Sequence, residues 1–90
     1  MLRITTINLE TAMKLVLEGK LAGPWVAELE SCWQEALSAK AGISLLVDLT
    51  AVSYVDAAGK DLLTRMQRNG TELLVSSLMT RAIFDSPENN

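Results

Sequence analysis

Ile43-Ser44-Leu45-Leu46-Val47-Asp48-Leu49-Thr50-Ala51-Val52-Ser53-Tyr54-Val55-Asp56-Ala57-Ala58-Gly59-Lys60-Asp61-Leu62-Leu63 changes its hydrophobic period at Asp56. The apolar run Ile43 to Leu49, rich in leucine and β-branched residues, passes through a short turn-prone segment to Asp56; beyond it the apolar spacing is helical. The pattern predicts a strand feeding a helix. A short carboxylate at the junction accepts hydrogen bonds from the free amides of the first turn, here Ala58 and Gly59, and the positive end of the helix dipole favours it. In structural terms Asp56 is an N-cap. In functional terms it marks a strand-to-helix junction at a sheet edge, where such folds present a site.

Working outward, Leu2 to Leu9 begins with alternation at Leu2 and Ile4, shifts phase at Ile7 and Leu9, and reads as an edge strand. Polar residues over Asn8 to Thr11 precede a second strand, with Met13, Leu15 and Leu17 on one face and Lys14, Val16 and Glu18 on the other. The two are expected to form an antiparallel hairpin. Gly23-Pro24 then starts a helix over Pro24 to Ala39, since proline at the first helical position lacks an amide that would be unpaired anyway. Val26, Leu29, Trp33 and Ala36/Leu37 fall on one stripe, and Gly42 is placed to close the helix. After the organising strand, a helix from Ala57 to about Asn69 points Ala58, Leu62, Leu63 and Met66 inward, and Lys60, Asp61, Arg65 and Arg68 toward water. Asn69-Gly70 ends it. Thr71 to Val75 reads as a short strand, so that Ile43 to Val75 forms a strand-helix-strand unit whose two strands are parallel through a right-handed crossover. Ser77 caps a last short helix with Leu78, Met79, Ala82 and Ile83 on its apolar face, followed by a polar tail from Asp85. One domain over residues 1–84 with a tail over 85–90 is expected.

The composition narrows the function. Ninety residues, 49% of them hydrophobic, suit one core. Eight basic residues against eleven acidic ones give a net charge of −3, so the cationic field that holds a phosphate backbone is missing and nucleic acid is not an expected partner. Cys32 is the single cysteine and histidine is absent, which excludes an intrachain disulfide, a Cys/His zinc site and imidazole-based catalysis. No metal or cofactor is expected. The lack of an apolar run of membrane-spanning length or a signal-peptide core places the chain in the cytoplasm as an expectation, without membrane insertion.

Leu17-Glu18-Gly19-Lys20-Leu21, Val47 through Gly59, and Asn69-Gly70-Thr71-Glu72-Leu73-Leu74 resemble, in order and separation, three landmarks of the STAS domain. That domain occurs in anti-sigma-factor antagonists and in the cytoplasmic tails of sulfate transporters. The resemblance spans about Leu2 to Ile83. It implies an α/β fold: a mixed β-sheet of about four strands in chain order β-β-α-β-α-β-α, with helices packed mainly on one face. It also implies a partner-binding surface, carried onto Ser53, Tyr54, Asp56, Ala57, Ala58, Gly59, Lys60, Asp61 and Thr64.

In the antagonists the segment after the aspartate usually reads Ser-Ser-Gly or Ser-Thr-Gly, and the first hydroxyl is phosphorylated by a partner kinase that is itself the anti-sigma factor. Here that position is Ala57, followed by Ala58. Alanine has no oxygen to accept a phosphoryl group, so the switch that adds roughly −1.5 to −2 charges cannot operate at this position. Ser53, Thr50 and Thr64 are nearby hydroxyls with ordinary structural explanations. Lys60-Asp61 replaces the small or apolar residues that often follow the glycine; a solvated face is the plain explanation and retuned partner choice the functional one. The family usually adds a further strand and helix after the element placed at Leu78 to Phe84, so an exposed strand edge or uncovered apolar surface, and hence a homodimer, is a further expectation.

Trp25 and Trp33 border the buried stripe and are expected to pack in the core. Cys32, without a basic neighbour, reads as a buried, inert thiol. Gly59 lets the helix start approach the sheet, and a phosphate on the amides of Ala57 to Gly59 would be repelled by Asp56. Three functions remain. The first is a non-enzymatic module resembling an anti-sigma-factor antagonist in partner-switching regulation of transcription, with an anti-sigma factor/serine kinase as partner. The second is an accessory subunit of a lipid-type membrane transport complex, with a transporter ATPase subunit as partner. The third, an enzyme, needs acid/base chemistry from Asp48, Asp56 or Asp61 without a second group to assist, and is disfavoured.

Overall fold

The computed structural model describes residues 1–39 and 42–76. The alternation of the first two segments produces a hairpin: β1 (Leu2–Asn8) pairs antiparallel with β2 (Ala12–Leu21), Leu2 opposite Gly19 and Asn8 opposite Met13. Helix α1 (Pro24–Ala39) follows, with the bounds its proline start and apolar spacing predict. Strand β3 (Ser44–Val55), helix α2 (Ala57–Arg68) and strand β4 (Glu72–Leu74) complete the described chain. The sheet runs β1-β2-β3-β4, with β2-β3 and β3-β4 parallel. The expected last helix, from Ser77, lies outside the described residues.

Sequential order of three parallel strands dictates the layering. Both crossovers step in the same direction across the sheet, and connections of one hand then place both helices on the same face. The core records this arrangement. Met13, Leu15 and Leu17 of β2 and Leu45, Val47 and Leu49 of β3 form one buried cluster with Val26, Leu29, Trp33 and Ala36 of α1 and Leu62, Leu63 and Met66 of α2. Lys14, Val16, Leu46 and Asp48 alternate with them and lie on the opposite face, which no described helix covers. The fold is thus α/β, a four-stranded mixed sheet with two described helices on one face.

Some details differ from the sequence expectations. The turn-prone segment after Leu49 is strand, because β3 continues to Val55 through two register shifts. Val16 faces Asp48 and Glu18 faces Ala51, so β3 carries one extra residue there; a second is inserted between Val52 and Tyr54, opposite Gly19 and Lys20. These are β-bulges, and the polar residues serve them. Asp48 Oδ1 accepts from the Thr50 amide (2.9 Å) and hydroxyl (2.7 Å), and the Ser53 hydroxyl donates to the Gly19 carbonyl (3.3 Å). Leu37 is exposed, because Ala36 takes the inward position one step earlier on the helix. Ala58 is also exposed; Gly59 faces inward in its place. Cys32 is half-buried rather than buried, on the flank of the α1 stripe.

Trp33 is buried, and its indole Nε1 donates to the hydroxyl of Thr71, 3.1 Å away and itself buried. Each group satisfies the other where an unpaired one would cost about 1–3 kcal/mol. Trp25 is only partly buried, packed against the rim of the same core.

Candidate functional site

The extension of β3 to Val55 delivers Asp56 beside the C-terminal end of β2. The Asp56 amide donates to the Leu21 carbonyl (3.1 Å), continuing the parallel pairing one step past the strands. Its backbone is extended (φ −83°, ψ −178°), as an N-cap requires, and its carbonyl accepts from the Lys60 amide (2.9 Å) as the first turn closes. Oδ1 accepts from the Gly59 amide at 2.7 Å. Oδ2 accepts from the Gly23 amide, 33 positions away in sequence, at 3.0 Å. Of the two amides expected from the sequence, Gly59 is bound; the second partner is Gly23 instead of Ala58, because the loop from β2 to α1 reaches the free oxygen.

One carboxylate therefore fastens two helix starts. Hydrogen bonds from Gly23 first, and from Gly59 second, hold the Asp56 carboxyl below its ordinary value, since both donors favour the charged form. Gly59 is the other half of the joint. A Cβ on it would lie 2.9 Å from the Leu21 carbonyl oxygen, 2.9 Å from Val55 Cγ1 and 3.1 Å from Leu21 Cγ. The helix start thus sits against the end of β2 at a distance that excludes any side chain.

Around this joint the expected surface residues separate into two groups. Ser53, Tyr54, Ala57, Ala58 and Asp61 are exposed, with Tyr54 53% accessible despite its large ring. Asp56, Lys60 and Thr64 are half-buried, and Gly59 is buried and has no surface to offer. The Thr64 hydroxyl is turned back to the Lys60 carbonyl (2.9 Å), and Asp61 meets Arg65 one turn later (3.7 Å). Arg65 also reaches Glu30 of α1 (3.2 Å), tying the helices together on their exposed side. Gly23 and Pro24, which the sequence placed only at a helix start, are exposed, and the Gly23 amide binds Asp56. Recognising Met13 to Leu49 as a second parallel strand-helix-strand unit was the signal for them, since parallel neighbours bring their C-terminal ends together.

The carboxylates are dispersed. Asp48 lies eight residues before Asp56; with two bulges between them it stands opposite Val16, five residues of β2 from Leu21, so the two are about 20 Å apart along the sheet. The Thr50 hydroxyl and amide hold its carboxyl below the ordinary value, with Lys14 Nζ at 3.6 Å adding to the effect. Cys32 is driven the other way: burial first, then the charges of Glu28 and Glu35, raise its thiol pKa and suppress the thiolate. Among the described residues no cluster of three or more His, Cys, Asp or Glu is arranged to hold a metal ion, and no helix is long and apolar enough to cross a membrane.

No family model matches the sequence, and no curated protein does. Solved structures do. The anti-sigma-factor antagonist SpoIIAA in its unphosphorylated form superposes with a TM-score of 0.66 at 18% identity, over 92% of this chain and 82% of that one. The STAS-domain anti-sigma-factor antagonist from Rhodobacter sphaeroides gives 0.55 at 15% identity, over 87% of this chain and 88% of that one. A longer protein, Mglu, gives 0.62 at 18% identity; 81% of this chain matches, but it spans only 19% of Mglu. With the four-stranded mixed sheet and the strand-to-helix joint at Asp56, these likenesses define a STAS-like fold.

Proposed function

We propose that this protein is a non-enzymatic binding module of the partner-switching kind, resembling an anti-sigma-factor antagonist, and that it engages its partner through the surface around the Asp56 joint. Ser53, Tyr54, Ala57, Ala58, Lys60 and Asp61 supply that surface, with Gly23 and Pro24 beside them. The observation that carries the proposal is the exposed Ala57-Ala58 pair at the first turn of α2, in a STAS-like fold whose neighbours include an antagonist described by its phosphorylation state. A solvent-facing first turn on a rigid double-capped joint is suited to recognition. With a methyl group where the antagonists carry a hydroxyl, binding is constitutive and does not respond to kinase activity at this position.

A second reading is favoured by the same alanines. An accessory subunit of a lipid-type transport complex needs the fold and the surface but no phosphorylated side chain, and its partner is a transporter ATPase subunit. One experiment separates the two. Incubation with the anti-sigma kinase and ATP should leave the chain unmodified by intact-mass measurement, whereas Ala57→Ser should gain a phosphoryl group. The unmodified chain should retain the anti-sigma factor through rounds of ATP turnover. Phosphorylation of the unaltered chain overturns the constitutive reading, and recovery of ATPase subunits in place of an anti-sigma factor selects the transport complex.

A further inference from the structure

Among the described residues the sheet has two edges of different character, β1 and β4. β4 offers three residues, and shortness is itself a protection against unwanted pairing. β1 offers seven, with no proline and no register shift against β2, and with Arg3 as its single charged residue. Among the described residues nothing pairs with its outer side.

The hydrogen-bond phase of that side follows from its ends. The Lys20 amide donates to the Met1 carbonyl and the Leu9 amide to the Ala12 carbonyl, so odd-numbered residues of β1 exchange bonds with β2. Leu2, Ile4, Thr6 and Asn8 consequently direct their amides and carbonyls away from the sheet. These four are equally spaced about Thr5, which makes the row complementary to itself when reversed.

We propose that the outer edge of β1 is a self-association surface whose partner is a second copy of this chain, the two β1 strands pairing antiparallel about a two-fold axis at Thr5. Leu2 then exchanges bonds with Asn8 of the second copy, and Ile4 with Thr6, so all four outward donors of each strand are used. A two-fold axis normal to the sheet keeps all helices on one face of an eight-stranded sheet. The charges permit it. Arg3 faces Ile7 of the second copy, and the two arginines are four residues apart along the pairing, about 13 Å, which exceeds the screening length at physiological salt.

Side-chain packing favours the same register. Ile7 is 40% exposed on the face away from the helices, and the aliphatic stem of Arg3 from the second copy covers it. On the helix face, Thr6 forms the outer rim of a groove of about 180 Å³ floored by Met13, Leu15 and Ala36 and bounded by Cys32. The register places Ile4 of the second copy directly beside Thr6, giving that rim an apolar neighbour. An edge-to-edge contact of seven residues is at the small end of specific interfaces, so the dimer is concentration-dependent.

Sedimentation velocity on the full chain over a wide concentration range tests the proposal, with amide hydrogen exchange as the local readout. A monomer–dimer equilibrium is expected, with Ile4 and Thr6 amides gaining protection as concentration rises. Thr6→Pro removes one outward donor from each strand while leaving the β1-β2 bonds intact, and should weaken association roughly 30-fold with an unchanged circular dichroism spectrum. Thr5→Lys and Thr5→Glu each set like charges against each other at the axis and should weaken it several-fold, while a one-to-one mixture of the two should associate at least as tightly as the unaltered chain. A chain that stays monomeric throughout overturns the proposal, as does a mixture no tighter than its components; the charge pair decides the matter even if the proline variant does not fold.

Discussion

Gly59→Ala tests whether the Asp56 joint is as tightly closed as its geometry indicates. Alanine is worth about 1 kcal/mol over glycine in a helix interior, so on propensity alone the substitution stabilises α2. Against this, the added Cβ sits 2.9 Å from a backbone carbonyl oxygen and from Val55 Cγ1, inside the separation real Cβ atoms keep. The Leu21 oxygen cannot swing aside as a flexible side chain does. It accepts from the Asp56 amide, and Asp56 in turn holds Gly23, so relief of the clash strains three hydrogen bonds that define both helix starts. Overpacking a well-filled site costs typically about 1–3 kcal/mol, and weakening even one of these bonds adds roughly 1 kcal/mol. The balance is a net loss of about 1–3 kcal/mol, or a drop in Tm of roughly 5–25 °C for a domain of this size. Urea unfolding followed by the fluorescence of Trp25 and Trp33 measures it directly. A variant as stable as the parent, or more so, refutes the close approach and with it the rigid surface proposed for partner binding.

Two further outcomes follow from groups away from the joint. Trp33→Phe and Thr71→Val should each cost about 1–3 kcal/mol by leaving the other's polar atom buried and unpaired, and the double variant should lose less than the sum; additive losses in the denaturant midpoint would show that the indole–hydroxyl bond contributes nothing. Asp48 has a folded-state pKa below its ordinary 3.8, so its contribution is present above that value and disappears as pH falls through the folded pKa. Asp48→Asn should therefore be less stable than the parent at neutral pH and converge on it in strong acid; a gap that stays constant across an acid titration of unfolding contradicts the Thr50 and Lys14 contacts as its source.

The alternation of Met13, Leu15 and Leu17, the three-and-four spacing from Val26 to Ala36, and the change of period at Asp56 determine a strand, a helix and an N-cap, because each depends on residues a few positions apart. The absence of a side-chain hydroxyl at residue 57 is likewise a fact of the sequence, and it rules out a phosphoryl group on that side chain whatever the fold. Tertiary structure decided the rest. Thr50 to Ser53 look like a turn until β2 lies alongside, when the same polar groups stabilise bulges in a continuous strand. Ala58 and Gly59 both fit a helix start, but the Leu21 carbonyl makes only glycine acceptable on the inner side. Gly23 joins the site across 33 positions because parallel strands end side by side, and among the described residues β1 has no neighbour on its outer side because the hairpin folds outward from the crossovers. Local pattern fixes which atoms a segment can offer, and the packing of segments against one another decides which of those atoms meet a partner and which are left facing water.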